Sequence, residues 1–175
     1  ATIGDSENNR HVNEETHWNP EKDNSVYAIT KYGAEIEVWR GTQEGLDAVI
    51  VNPGVIIGAG IWNHGSGEIF NKVYNGLPFY TQGHIACIDV KDVVKSMITL
   101  LESPIKNERF ILVAEHMPYK KFLNYIAKKL EVKPPHIEAK SWMISIVWRL
   151  DWLKNKLTGA PRKLVKPMLK STLNK

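Results

Sequence analysis

Apolar and polar positions fall into blocks along this chain, and the spacing changes from block to block. Residues 1–24 show no period. Gly4, Asp5, Asn8, Asn9, Asn19 and Pro20 make them polar and turn-rich, so they read as a long loop of the kind that has a task, such as covering a site. From Ser25 the spacing becomes helical, with Ser25 as the N-cap and Gly41 or Gly45 as the stop. DAVIVNP (47–53) is a short β-branched run closed by proline, the pattern of a buried parallel strand. GVIIGAG (54–60) reads as a glycine-rich loop, followed by a helix around Glu68 to Tyr74 that Asn75–Gly76 closes. HIACIDVKDVVKSMITLLES predicts a short strand and then a helix from about Asp92, with that aspartate as its cap. ERFILVAE (108–115) is β-rich, and PYKKFLNYIAKKLEV has proline in its first turn and Phe122, Ile126 and Leu130 at helical spacing. SWMISIVWRLDWLKNKL and RKLVKPMLKSTL read as two helices parted by Pro161, the second kinked at Pro167. Strands alternating with helices predict an α/β protein with a mostly parallel sheet.

The totals narrow the picture. At 175 residues the chain is one domain, or a large and a small lobe sharing a core, and 43% hydrophobic with 24% charged residues is a globular profile. The single cysteine, Cys87, rules out an internal disulfide framework and fits a reducing compartment; in its apolar run it reads as a small core residue. No apolar run approaches a membrane span and the polar N-terminus lacks the signal-peptide pattern, so the cytoplasm is the default location. The net charge of +4 is uneven: from Lys140 onward nine Lys or Arg face one acid, Asp151, while the rest carries −4. Those lysines do not form a long block, so they read as a solvated helix face and no nucleic-acid partner is expected. Trp142, Trp148 and Trp152 with their neighbouring lysines allow a helix lying on a membrane, but their helical spacing suits buried packing better, and no membrane association is expected. The six histidines form no H-E-x-x-H or H-x-H pair, so no metal is expected.

One pair of residues carries chemistry. Tyr27 and Lys31, at i and i+4, project from one face of the first helix. A phenol is a poor acid or base at neutral pH, its unperturbed pKa being about 10. An ammonium close by favours the phenolate and makes a tyrosine usable for proton exchange with an alcohol or carbonyl oxygen. The spacing alone recurs by chance in many helices, where it marks only a surface pair. Its context separates the two readings: a buried strand ending in Asn52–Pro53–Gly54 and a glycine-rich loop follow the helix.

This order of pieces resembles the extended short-chain dehydrogenase/reductase family, which includes the NAD-dependent epimerases and dehydratases. The matching segments are W-N-P (18–20), Y-A-I-T-K (27–31), A-E (34–35), V-W-R-G (38–41), E-G-L-D-A-V-I-V-N-P-G (44–54), I-G-A-G (57–60) and I-D-V-K-D-V-V (88–94). The likeness runs from Ala1 to about Gly159, and E-V-W-R-G with the late T-G-A-P-R (158–162) fits the dihydroflavonol-reductase-like branch best. The resemblance implies the rear half of a Rossmann-type doubly wound parallel sheet (1–60 and 84–103) plus a smaller, mostly helical substrate-binding lobe (61–83 and 104–175). It implies NADP or NAD as cofactor, a small-molecule substrate, and hydride transfer between a carbonyl and a secondary alcohol; a homodimer is compatible with it. Tyr27 would be the catalytic acid/base. Lys31 would tune that phenol and hydrogen-bond the nicotinamide ribose, while Pro53, Gly54 and Val55 would line the nicotinamide. Trp62 and His64, just past the glycine loop, are candidates for the border of the substrate pocket.

The family opens with a strand and a G-x-x-G-x-x-G turn that holds the cofactor pyrophosphate at a helix N-terminus. G-A-G (58–60) and G-S-G (65–67) have neither that spacing nor that position, and the family's catalytic serine would precede Ala1. The chain therefore matches a C-terminal part of such an enzyme, a fragment expected to be inactive alone. Two other functions stay open. One is a nucleotide-sugar epimerase or dehydratase, which needs groups for a diphosphate; Arg109 is the only arginine between Gly41 and Lys140. The other is a non-catalytic NAD(P)-sensing or membrane-docking protein, for which Tyr27 and Lys31 would have no use.

Overall fold

The computed structural model of the protein describes residues 12–21, 24–140 and 143. The expected helices built on Trp142, Trp148 and Trp152, the prolines at 161 and 167, and the segment 158–162 lie outside the described residues. In chain order the elements are α1 (Val26–Gln43), β1 (Val49–Pro53), β2 (Val55–Ile57), α2 (Gly67–Tyr74), β3 (Phe79–Tyr80), β4 (His84–Asp89), α3 (Val90–Leu101), β5 (Glu108–Leu112), β6 (Glu115–Pro118), α4 (Tyr119–Lys129) and β7 (Ile137–Glu138). Every pairing with a defined register is parallel. The architecture is α/β, as the alternation of periods predicts.

The chain divides into two units, each made of two separate stretches: Ala1–Gly58 with Cys87–Glu115, and Ala59–Ala86 with His116–Lys175. In the first, α1 starts where its sequence says it should, the Ser25 hydroxyl accepting from the Ala28 N–H at 3.1 Å. It ends in a pair of reversed hydrogen bonds, Leu46 N–H to Gly41 O at 3.0 Å and Gly45 N–H to Thr42 O at 3.2 Å, with Gly45 at φ +98°. Of the two expected stops, Gly45 is the one that turns the chain.

Next, β1 lies parallel to β5, from Val49↔Glu108 to Pro53↔Leu112. Asn107 sets this register: its N–H donates to Ala48 O at 2.6 Å and its Oδ1 accepts from Ala48 N–H at 3.3 Å. Expected to be buried, β1 is half-buried at every residue, because β5 is its only strand partner among the described residues. Its apolar side borders a cavity of about 640 Å³ lined by Val49, Val51, Val94, Met97, Ile98 and Leu101 among others. The glycine-rich stretch read as a loop holds a strand instead: Val55, Ile56 and Ile57 pair in parallel with Cys87, Ile88 and Asp89 of β4. The cap of α3 also shifts, from the expected Asp92 to Asp89, whose carboxylate accepts from the Lys91 N–H at 2.7 Å. An N-cap needs extended backbone, and Asp89, the last residue of β4, has it at φ −70°, ψ 141°.

In the second unit, α2 closes at Asn75–Gly76 as expected, with Gly76 at φ +81° and its N–H on Val73 O at 3.0 Å. Val73 of α2 and Leu123 of α4 are fully buried, Phe122, Ile126 and Ala127 of α4 are buried as well, and Phe70 meets Phe122 edge-on at 6.3 Å. Short strands β3 and β7 pair through Phe79↔Ile137 and Tyr80↔Glu138. The end of α4 uses the same hydrogen bonds as α1, Val132 N–H to Ala127 O and Glu131 N–H to Lys128 O, but its left-handed residue is Glu131, at φ +55°. A Cβ costs about 1 kcal/mol or more in that conformation. Glu131→Gly is therefore expected to raise stability by roughly 1 kcal/mol, read as a higher denaturation midpoint; a lower midpoint would contradict the cap.

Among the described residues no helix is long and apolar enough to cross a membrane, and no three His, Cys, Asp or Glu side chains stand close enough together to hold a metal ion.

Candidate active site

The first turn of α1 sets Tyr27 and Lys31 side by side. Tyr27 is 64% exposed, and the Lys31 ammonium lies over its ring at 5.8 Å from the centroid, within the range of a cation–π contact. Lys31 has no ion pair among the described residues, and α1 has no acid in its first turn. The helix N-terminus thus adds its own partial positive charge to that of Lys31, with no acid in the first turn to offset it. Ser25 holds the turn closed, and Thr30 donates from its hydroxyl to Tyr27 O at 2.9 Å.

Pro53, Gly54 and Val55 belong to the same unit. They form the step at which the chain leaves one parallel pairing for another: Pro53 is the last β1 residue opposite Leu112, and Val55 the first β2 residue opposite Cys87. Gly54 N–H donates to Leu112 O at 3.0 Å, which finishes the first pairing. All three residues are half-buried. At Gly58, a Cβ would lie 2.7 Å from Val90 Cγ1, so this glycine lets β2 pass close to the start of α3.

Trp62 and His64 lie in the other unit. Trp62 is 42% exposed and meets Tyr74 edge-on at 6.1 Å, and His64 is exposed. Around them the glycines are structural. Gly65 is at φ +59°, and a Cβ on Gly67 would lie 2.1 Å from the Ile61 carbonyl oxygen. Cys87 is buried; burial and then the charge of Glu115 push its thiol pKa above its ordinary value, which suits a core residue rather than a nucleophile.

A group of residues that sequence reasoning did not assemble lies along the same helix. Glu35 is buried on α1, its Oε1 accepting from Trp39 Nε1 at 3.3 Å and from Arg109 Nη1 at 3.2 Å. Arg109, on β5, also donates to the carbonyls of Glu14, through Nε at 2.8 Å and through Nη2, and of Thr16, at 3.0 Å. Glu14 Oε1 accepts from the Ile111 N–H at 2.9 Å, and that bond is the largest cause holding its carboxyl below the usual carboxylate range. Trp18 then stacks on Tyr32 at 4.6 Å with the rings 8° from parallel. The described part of the N-terminal loop is thus a strap laid from β5 to α1. The sequence carries only a faint signal for it: α1 holds two carboxylates, Glu35 and Glu37, and only the fold shows that Glu35 is the buried one that needs a cation.

Known proteins share parts of this sequence and of this fold. The sequence model of the NAD-dependent epimerase/dehydratase family matches residues 1–113. No curated protein shows significant sequence similarity to the chain. Among solved structures, a nucleoside-diphosphate-sugar epimerase from Pseudomonas aeruginosa superposes with a TM-score of 0.78 at 17% identity, over 98% of this chain and 61% of that one. The dTDP-glucose 4,6-dehydratase of Bacillus anthracis in complex with NAD gives 0.63 at 13% identity, over 97% of this chain and 56% of that one. The UDP-glucose 4-epimerase of Thermus thermophilus in complex with NAD gives 0.62 at 19% identity, over 85% of this chain and 55% of that one. The chain spans little more than half the length of these structures, and the likeness is one of fold.

Proposed function

The chain belongs to the NAD-dependent epimerase/dehydratase family, and on that premise we propose that it supplies the acid–base pair of an NAD(P)-dependent reductase acting on a carbonyl/secondary alcohol couple. The observation that carries this reading is the exposed Tyr27 phenol with the Lys31 ammonium over its ring, in a helix turn free of acidic residues. These residues suit the nicotinamide end of a dinucleotide: an ammonium with no carboxylate partner among the described residues can donate to a ribose hydroxyl, and an exposed phenol can reach a substrate oxygen. Bound nicotinamide supplies or accepts the hydride. Tyr27 gives its hydroxyl proton to the substrate oxygen as a carbonyl is reduced and takes one back in the reverse direction. Lys31 orients the pair through the ribose, and the Pro53–Val55 step is the backbone offered to the carboxamide.

A nucleotide-sugar substrate is the second reading, since the solved structures named above include epimerases and a dehydratase. Among the described residues Arg109 is the only arginine past Gly41, and it is already committed to Glu35 and to the Glu14 and Thr16 carbonyls, which favours a substrate without a diphosphate. The two readings separate by net redox change. A reductase consumes reduced dinucleotide stoichiometrically, whereas an epimerase returns the hydride to its own substrate.

The reading is tested at Lys31, in the protein expressed from its full reading frame. Lys31→Ala is expected to raise the dinucleotide KM and lower kcat, each on the order of tenfold. Lys31→Arg should recover little of either, because a planar fork does not replace a compact ammonium over a ring face. Unaltered dinucleotide affinity in Lys31→Ala would make Lys31 a surface residue.

A further inference from the structure

We propose that Arg109 is a positioning residue: through Glu35 and the strap of residues 13–18 it sets the orientation of α1, and so of the Tyr27–Lys31 pair. The proposal rests on the reading just given, but its first test does not.

The argument starts from burial. The side chains of Glu35 and Arg109 are only 6% and 17% exposed, and Glu35 Oε2 is buried with no hydrogen-bond partner. A carboxylate in such a place is held by its cation, and removing the cation leaves a buried charge uncompensated. Glu35 lies one turn beyond Lys31 and two beyond Tyr27 on the same side of the helix, about 6 and 12 Å along its axis. Fixing Glu35 therefore fixes the rotation of α1 that decides where the phenol and the ammonium point.

The second anchor is closer to the pair. The Arg109 guanidinium grips the carbonyls of Glu14 and Thr16 while Ile111 N–H holds the Glu14 carboxylate, so the strap cannot slide along β5. The strap in turn delivers the Trp18 ring onto Tyr32, the residue next to Lys31. Asn24 adds a tie where the strap leads into α1, its Nδ2 donating to Asn19 O at 2.9 Å. Only arginine can serve three acceptors on two elements with one planar group; lysine can meet the carboxylate or a carbonyl, not the whole set.

The experiment has two arms. On the 175-residue chain, hydrogen exchange followed by mass spectrometry compares wild type with Arg109→Met, Arg109→Lys and Glu35→Gln. Exchange across 26–36 is expected to rise about tenfold in Arg109→Met and less in Arg109→Lys, with 119–129 unchanged. A rise confined to residues 12–21 and 108–112 would overturn the proposal, because the strap would then be a local tie only. If Arg109→Met fails to fold, Glu35→Gln and Trp18→Leu carry the same comparison. In the protein from the full reading frame, kcat per folded molecule should fall in the order Arg, Lys, Met while the substrate KM holds steady. Equal kcat across the series would also overturn it. Should Tyr27→Phe prove fully active, the function proposed above fails, and the exchange arm still decides whether Arg109 orients the helix.

Discussion

Tyr27→Phe is expected to lower turnover by on the order of a hundredfold or more while leaving dinucleotide affinity little changed. The substitution removes one oxygen. The ring stays beneath the Lys31 ammonium, and because the residue is 64% exposed little packing is lost with the oxygen. The cap that starts the helix is the Ser25 hydroxyl on Ala28 N–H, which the substitution does not touch, so melting behaviour should match the wild type. An effect confined to kcat separates lost proton transfer from lost binding. Steady-state rates with any accepted carbonyl substrate, alongside a direct dinucleotide titration, provide the measurement. Turnover that survives intact would remove Tyr27 from the chemistry.

A large effect on stability from packing alone is expected at Gly67. A methyl group there would sit 2.1 Å from the Ile61 carbonyl oxygen and 3.1 Å from Trp62 Cα, both backbone atoms that cannot rotate aside. Gly67→Ala should cost about 3 kcal/mol, the upper end for overpacking, and lower the melting temperature by roughly 6–12 °C in a chain of this size. Gly33 provides the control: it lies within α1 with nothing within 4 Å of its added Cβ, so Gly33→Ala should stabilise by up to about 1 kcal/mol. Similar shifts in the two variants would mean that the Ile61–Gly67 approach is not there.

Local signals in the sequence located much of this structure. Ser25, Gly45 and Gly76 each act through hydrogen bonds that span only a few residues, so the residue type and its neighbours suffice to place them. The same holds for Tyr27 and Lys31, whose shared face follows from helical geometry. What the sequence left unread depends on distant partners. Val55–Ile57 is too short and too glycine-flanked to announce a strand, and it becomes one because β4 is there to pair with it. Asp89 and Asp92 look alike as caps until the end of β4 is known. The Arg109–Glu35 contact joins residues 74 apart and the Arg109–Glu14 contact residues 95 apart, distances at which no periodicity survives. Glycines 58 to 67, the stretch where a cofactor loop was sought and not matched, include two that serve close packing: Gly58 against Val90 and Gly67 against Ile61.

The register of β1 also has a consequence in time. Ala48 and Asn107, which start the β1–β5 pairing, are 59 residues apart, and the stretch between them includes a segment of the other unit. On a ribosome adding about 5–20 residues per second, β1 emerges roughly 3–12 s before its partner strand. Through that interval α1 can already be wound, since its cap and its first turn are local, while Val49, Ile50 and Val51 wait without a ladder. Parallel pairing across so long a loop is intrinsically slow to close, so refolding of the whole chain should be limited by this step rather than by its helices. The exposure of that apolar strand during synthesis is thus a clock set by sequence spacing, and it marks when the nascent chain has most need of a chaperone.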